Sequence, residues 1–155
     1  MSFFQFLSSE HIIVTEEVVG REQILTQLGG RLVQSGAVAD EYVPTILERE
    51  QQFPTGIELE SIHIAIPHAD AAYVRKPAVA MAVVKKGVSF RSMADPEKDL
   101  PVKIVIMLAL EKSETQLRVL EQIMSFIQHA DRLQELVEME SGEAVFRALK
   151  QSATK

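Results

Sequence analysis

Cysteine is absent from the 155 residues, which removes disulfides, thiolate metal sites and cysteine nucleophiles together and fits a reducing compartment. Long apolar runs are absent as well. The opening Met1-Ser2-Phe3-Phe4-Gln5-Phe6-Leu7 is apolar but short, has no basic leader and runs into Ser8-Ser9-Glu10-His11. Neither a signal peptide nor direct membrane insertion is therefore expected, and the expected location is cytoplasmic. Positive charge is in deficit: 16 Lys and Arg stand against 22 Asp and Glu, for a net charge of −6. That is the wrong sign for a general phosphate-backbone binder, so nucleic acid is not an expected partner. No P-loop, nucleophile elbow or zinc-protease helix occurs. No repeat, low-complexity tract or Pro/Gly/Ser linker divides the chain. Residues 1–155 thus read as a single domain, long enough to bury roughly 70% of its unfolded surface in one core. Any partner domain is expected on a separate polypeptide.

Two hydrophobic periods are present. After a short extended segment at Ile12-Ile13-Val14, residues 21–34 place Ile24, Leu25, Leu28, Leu32 and Val33 on one helical face, and Gly36 stops the helix. Gly29-Gly30 inside it weakens it by about 1 kcal/mol per glycine relative to alanine, which predicts another element packed closely there. Asp40 is a candidate cap for a second helix to about Gln52, with Val43, Ile46 and Leu47 inward and Pro44 in its first turn. From Phe53 the period shortens. Residues 55–59, 61–66, 78–84 and 102–110 read as strands, and Lys86-Gly87 reads as a turn into a short strand over 88–90. The unbroken apolar run over 104–110 predicts a strand covered on both faces. Ser113-Glu114-Thr115-Gln116 has the form of a capping box, opening a helix with Leu117, Leu120, Ile123, Met124 and Ile127 as its buried stripe. Asp131 and Ser141 open two more, carrying Leu133, Leu136 and Val137, then Val145, Phe146 and Leu149. The expected class is α/β: a mixed central sheet of four to five strands flanked by helices on both faces.

The chemistry centres on His68, which closes the run Ile64-Ala65-Ile66-Pro67-His68. A strand end feeding a loop fixes the backbone and leaves the side chain reachable. A neutral imidazole has a free ring-nitrogen lone pair and accepts a phosphoryl group near neutral pH. Phosphoryl transfer then needs positioning and donors for three equatorial oxygens. Arg49 offers a planar fork for two of them, Gln116 is a candidate donor at a helix start, and Thr55 is a candidate hydroxyl in support. Each also has a plainer role open to it: a strand-end histidine, a surface cation, the reciprocal member of the capping box. A metal at His63, His68 and Asp70 is not expected, because strand positions five apart point to opposite faces. His11 and His129 have no partner motif.

Leu47-Glu48-Arg49-Glu50, Phe53-Pro54-Thr55-Gly56-Ile57 and Ile64-Ala65-Ile66-Pro67-His68 together resemble the enzyme IIA components of the fructose/mannitol class of the bacterial sugar phosphotransferase system. The order of elements agrees over nearly the whole chain. The resemblance implies the mannitol/fructose-type IIA fold and a cytoplasmic phosphocarrier. His68 would be the acceptor and a candidate tele-phosphohistidine, Arg49 the phosphate-stabilising residue. It implies HPr as donor, an enzyme IIB as acceptor, a membrane enzyme IIC as the further component, and neither metal nor organic cofactor, since the phosphoryl group is carried covalently. Mannitol and fructose members usually have a second histidine where this chain has Gln116. With the Phe-Pro-Thr-Gly sequence, that departure looks more like the galactitol branch. A regulatory IIA-like phosphoprotein of the nitrogen-related branch, acting by phosphorylation-dependent protein binding, is the alternative function.

Overall fold

Along β4 (Ala78–Arg91) small and large apolar side chains alternate, Ala78, Ala80 and Ala82 entering one core and Val79, Met81 and Val83 the other. A strand buried on both faces needs a layer on each side, and the chain supplies both. The computed structural model describes residues 3–69 and 71–153. Its other elements are β1 (Leu7–Thr15), α1 (Arg21–Gln34), α2 (Tyr42–Gln52), β2 (Gly56–Ile57), β3 (His63–Ala65), β5 (Asp99–Ala109), α3 (Ser113–Phe126), α4 (Ala130–Glu138) and α5 (Gly142–Ala153). The sheet has five strands in the order β1-β4-β5-β3-β2. Pairing is parallel for β1 with β4 and for β3 with β5, and antiparallel for β4 with β5 and for β2 with β3. The helices α1 and α2 cover the alanine face of β4, and α3, α4 and α5 cover the opposite face. Among the described residues no helix is long and apolar enough to cross a membrane.

Several helix ends follow directly from single residues. Gly36, at φ +81°, lets Ala37 N–H reach Leu32 O and Gly36 N–H reach Val33 O, which closes α1 with a left-handed cap. Gly29 is the predicted close contact: a Cβ there would lie 2.8 Å from Val43 Cγ2 of α2, whereas Gly30 faces open space. Ser141 Oγ accepts from Ala144 N–H and opens α5 as expected. On α2 the buried positions are Tyr42, Ile46 and Glu50, one helical face, while Val43 and Leu47 are half-buried. The Tyr42 hydroxyl donates to Leu108 O at 2.6 Å, which satisfies a fully buried phenol.

Five expectations need correction. The segment at Ile12–Val14 belongs to a nine-residue strand, β1, which precedes the helices and forms one edge of the sheet. Residues 88–90 are not a separate strand; β4 continues through a bulge between Val83 and Val88 in which Gly87 takes φ +82°. The strands expected at 55–59 and 61–66 shrink to β2 and β3. Helix α3 is rotated from the expected stripe: Val119, Ile123 and Ile127 are buried, Leu120 is half-buried, and Leu117 and Met124 are exposed. The caps also differ, since Glu41, Lys112 and His129 occupy the N-cap positions of α2, α3 and α4 with no side-chain cap bond.

Glu50 is a buried carboxylate that accepts two 2.8 Å hydrogen bonds from Thr55, one from its N–H and one from its hydroxyl. Burial pushes the carboxyl above the usual carboxylate range, against the lowering effects of Thr55 and Arg21. The native state therefore holds this proton more tightly than the unfolded chain. Its contribution to stability falls as pH rises from the ordinary carboxylate range through the raised native value. Glu50→Gln, whose carbonyl can accept from Thr55 N–H and whose amide can donate to Thr55 Oγ1, should flatten that fall. Glu50→Ala should lose about 2 kcal/mol, the desolvation penalty of orphaned donors. Urea unfolding from weakly acidic to neutral pH checks both.

Candidate functional site

Pro67 cannot donate to a strand ladder, so β3 ends two residues before it and the chain is held by separate bonds. Ile66 N–H donates to Thr55 O at 3.2 Å, Leu108 N–H donates to Pro67 O at 3.0 Å, and an isolated bridge pairs His68 with Leu108 of β5. The backbone of His68 is thus fixed at the end of the sheet while its ring is half-buried. Nδ1 lies 2.8 Å from Ile66 O. A carbonyl only accepts, so Nδ1 carries the proton and the free lone pair is on Nε2.

Beside the ring is a cleft of about 360 Å³ lined by His68, Arg49, Lys112, Ser113 and Gln116, with Glu111 and the apolar Ala69, Ala71 and Leu110. Because β3 and β5 are parallel neighbours, the segments leaving their C-terminal ends emerge at the same end of the sheet, beside the end of α2. Arg49 comes from the last turn of α2. Its guanidinium carbon stands 4.9 Å from the centre of the Phe53 ring, a cation–π contact that favours this placement of the fork. Lys112 is the N-cap of α3 in an extended conformation, and the first intrahelical bond runs from Gln116 N–H to Lys112 O at 3.0 Å. The amides of Ser113, Glu114 and Thr115 consequently precede the first helical bond, at the positive end of the helix dipole. Two cations, a helix start and an amide side chain so surround one imidazole, and Glu111 is the one carboxylate among the described lining residues. The arrangement suits a doubly charged phosphoryl group on a ring nitrogen.

His68, Arg49 and Gln116 are brought together. Thr55 is not: it is buried, its hydroxyl donates to Glu50, and it does not line the cleft. Its expected role as a phosphate donor is corrected for that reason. Nor is the capping box formed, because Ser113 is the first helical residue, one position past the cap, which leaves Gln116 without that structural duty. His63 accepts a hydrogen bond from Leu59 N–H on Nδ1 and lies outside the cleft, and Asp70 is outside the described residues. Among the described residues no group of three or more His, Asp or Glu side chains could hold a metal ion. His11 is buried with Nε2 2.8 Å from Ser35 Oγ, and His129 is exposed. Sequence reasoning misses Lys112 and Ser113 as site residues. Their signal is the strand over 102–110 running directly into a helix, which puts that helix start beside His68 once β3 and β5 pair in parallel.

A mixed sheet between two helical layers, with a histidine and an arginine in a cleft at one end, makes the chain an α/β domain with a site suited to a phosphoryl group. It belongs to the family of the phosphoenolpyruvate-dependent sugar phosphotransferase system, EIIA 2, whose model matches residues 5–152. Proteins of this family are phosphotransferases that act through a phosphohistidine. The galactitol-specific EIIA component of Escherichia coli is 34% identical over 119 residues, covering 77% of this chain and 79% of that protein. The crystal structure of IIA mannitol from Escherichia coli superposes with a TM-score of 0.74 at 26% identity, covering 92% of this chain and 97% of that one. The same fold occurs in the complex of the Escherichia coli mannitol enzyme IIA with phosphorylated enzyme IIB, with a TM-score of 0.76, 24% identity, and 93% and 96% of the two chains covered.

Proposed function

We propose that this chain is a cytoplasmic phosphocarrier that takes a phosphoryl group from phospho-HPr onto Nε2 of His68 and passes it to an enzyme IIB, with a membrane enzyme IIC as the further component. The observation that carries this reading is the Nδ1–H bond to Ile66 O, which leaves Nε2 as the nucleophile beside Arg49 and Lys112. In the step, the Nε2 lone pair attacks phosphorus, the N–P bond to the donor's histidine breaks, and its electron pair returns to that donor nitrogen. Nδ1 keeps its proton, and the positive charge that develops on the ring is stabilised by the Ile66 carbonyl. Arg49 holds two equatorial oxygens, and Lys112 and the α3 start face the third. Negative charge is met by side chains and amides, so the reaction calls for no metal or organic cofactor. The mannitol IIA bound to phosphorylated IIB supports IIB as the acceptor. The galactitol-specific relative and the glutamine at 116 support uptake of a hexitol or pentitol.

The test supplies labelled phosphoenolpyruvate, the general phosphotransferase proteins and galactitol-type or mannitol-type IIB in parallel. Label should enter through HPr, appear on His68 and leave to the galactitol-type IIB. Stable retention of label with both IIB proteins present would sink the transport role.

Gln116 supplies the cleft's amide side chain. Because no capping box is formed, Gln116→Ala should change stability by less than about 0.5 kcal/mol. It should slow transfer from HPr roughly tenfold, about the worth of one hydrogen bond to a charged group. Gln116→His should recover much of the rate, since imidazole donates from a similar distance. Undiminished transfer in Gln116→Ala would show that the amide takes no part.

A further inference from the structure

Thr55 lies outside the cleft, yet it is joined to His68 by an unbroken series of hydrogen bonds. Both oxygens of the Glu50 carboxylate hold Thr55 at 2.8 Å, one through its N–H and one through its hydroxyl. The Thr55 carbonyl accepts from Ile66 N–H at 3.2 Å, and the Ile66 carbonyl accepts from His68 Nδ1–H at 2.8 Å. Each link is joined to the next through the backbone of a single residue, Thr55 and then Ile66. Neither Glu50 nor Thr55 is reachable from solvent, at 4% exposure each.

The arrangement falls where the sheet itself stops helping. Regular pairing of β2 with β3 ends at Gly56 opposite Ala65, and the Thr55–Ile66 bond carries the ladder one step further, up to Pro67. Past that step Leu108 of β5 holds the Pro67 carbonyl and bridges His68, while the Ile66 carbonyl accepts from the His68 ring. Gly56 keeps the approach tight, for a Cβ there would stand 2.5 Å from Arg91 O, so the chain is pinned on the far side of Thr55 as well. A buried carboxylate is an expensive way to hold a turn, since desolvation disfavours its charge. A bidentate clamp on one residue is what that group supplies here.

We propose that Glu50 and Thr55 are positioning residues that fix the Ile66 carbonyl, and through it the Nδ1–H tautomer and the orientation of His68. The inference rests on the phosphocarrier reading and adds to it a determinant of which ring nitrogen is phosphorylated. With the clamp intact, Nδ1–H has its acceptor and Nε2 keeps its lone pair. With the clamp released, the Ile66 peptide can turn and Nδ1–H loses its acceptor. The ring then redistributes toward the Nε2–H tautomer, in which the nitrogen facing the cleft has no lone pair to give.

The experiment compares wild type, Thr55→Ser, Thr55→Val and Glu50→Ala. Long-range ¹⁵N–¹H correlation spectra of the unphosphorylated proteins at neutral pH report the His68 tautomer directly, without any transfer reaction. Wild type and Thr55→Ser, which keeps both hydrogen bonds, should show Nδ1–H. Thr55→Val and Glu50→Ala should show a mixed tautomer. Transfer from phospho-HPr should slow by about tenfold or more, as small misplacements of a reacting group do, and part of the phosphate should appear on Nδ1. Thr55→Val keeps the side-chain shape and the Thr55 N–H bond to Glu50, so it reports even if Glu50→Ala does not fold. A wild-type tautomer and wild-type transfer in Thr55→Val would overturn the proposal, whatever its melting temperature. If the tautomer shifts as expected while wild type takes no phosphate on His68, the clamp stands and the phosphocarrier reading falls.

Discussion

His68→Ala should abolish labelling of the chain by phosphoenolpyruvate and the general phosphotransferase proteins, leaving no residual slow phase on another residue. The reason is the state of the other three imidazoles. Nδ1 of His63 already accepts the Leu59 N–H, which leaves its proton on Nε2 and no lone pair free. His11 is buried, with Nε2 at 2.8 Å from Ser35 Oγ and Nδ1 shielded from solvent. His129 is exposed at the N-cap of α4 and does not share the cleft of Arg49 and Lys112. His11 lines a cleft with Arg31, but it is buried there and bonded to Ser35; His68 stands in a cleft with two cationic residues and a helix start. The wild-type label should be lost in acid and retained in alkali, as a phosphoramidate requires, and stability of His68→Ala should be near wild type because the ring is only half-buried. Peptide mapping of the wild type decides the point. Phosphate on His63, His11, His129 or a hydroxyl would remove His68 as the acceptor.

How far the sequence discloses this arrangement depends on whether the tertiary structure leaves a local pattern intact. Helix α1 is legible to the residue, because its apolar stripe runs up to Leu32 and Gly36 ends it about one turn later. Strand β1 is not, because its pairing with β4 shifts register between Leu7 and Ile12 and the polar Ser8-Ser9-Glu10-His11 occupies the irregular stretch. Only the three apolar residues after it keep the period of a strand. In β4 the sequence shows a turn at Gly87 where the structure has a bulge; both use positive φ, and what distinguishes them is the partner strand. The face of α3 escapes the sequence pattern because an apolar stripe can include exposed members, as Leu117 and Met124 are. At the candidate site, His68 and Arg49 are singled out by the chemistry they offer, and both line one cleft. Thr55 is legible in the right neighbourhood with the wrong partner: five residues separate it from Glu50, across a helix end whose course no local pattern specifies. Ser113 sits one position inside the helix it was expected to cap, and that single step changes the roles of both Gln116 and Lys112.

Arg49→Lys should slow transfer from phospho-HPr roughly 10²-fold while leaving stability nearly unchanged, although the net charge of the cleft is the same before and after. Charge is not what the substitution removes. Lys112 already lines the cleft and carries a positive charge, so a second lysine in place of Arg49 adds no new kind of group. What is lost is the planar fork, which can hold two oxygens of the transferring group in the geometry that develops in the loose transition state. The contact with Phe53 matters for the same reason. At 4.9 Å from the ring centre the guanidinium rests over Phe53, a contact that favours one placement of the fork and that a flexible ammonium would make less well. Phe53→Leu should therefore reproduce a smaller part of the loss, about severalfold, by loosening the fork without removing it. Phe53 is 59% exposed, so its replacement disturbs little packing. Single-turnover transfer rates and melting temperatures of the two variants separate the roles. A lowered melting temperature with an intact rate in Arg49→Lys would make Arg49 a structural cation. A slowed rate in both variants at unchanged melting temperature is the signature of a residue whose orientation, more than its charge, serves the phosphoryl group.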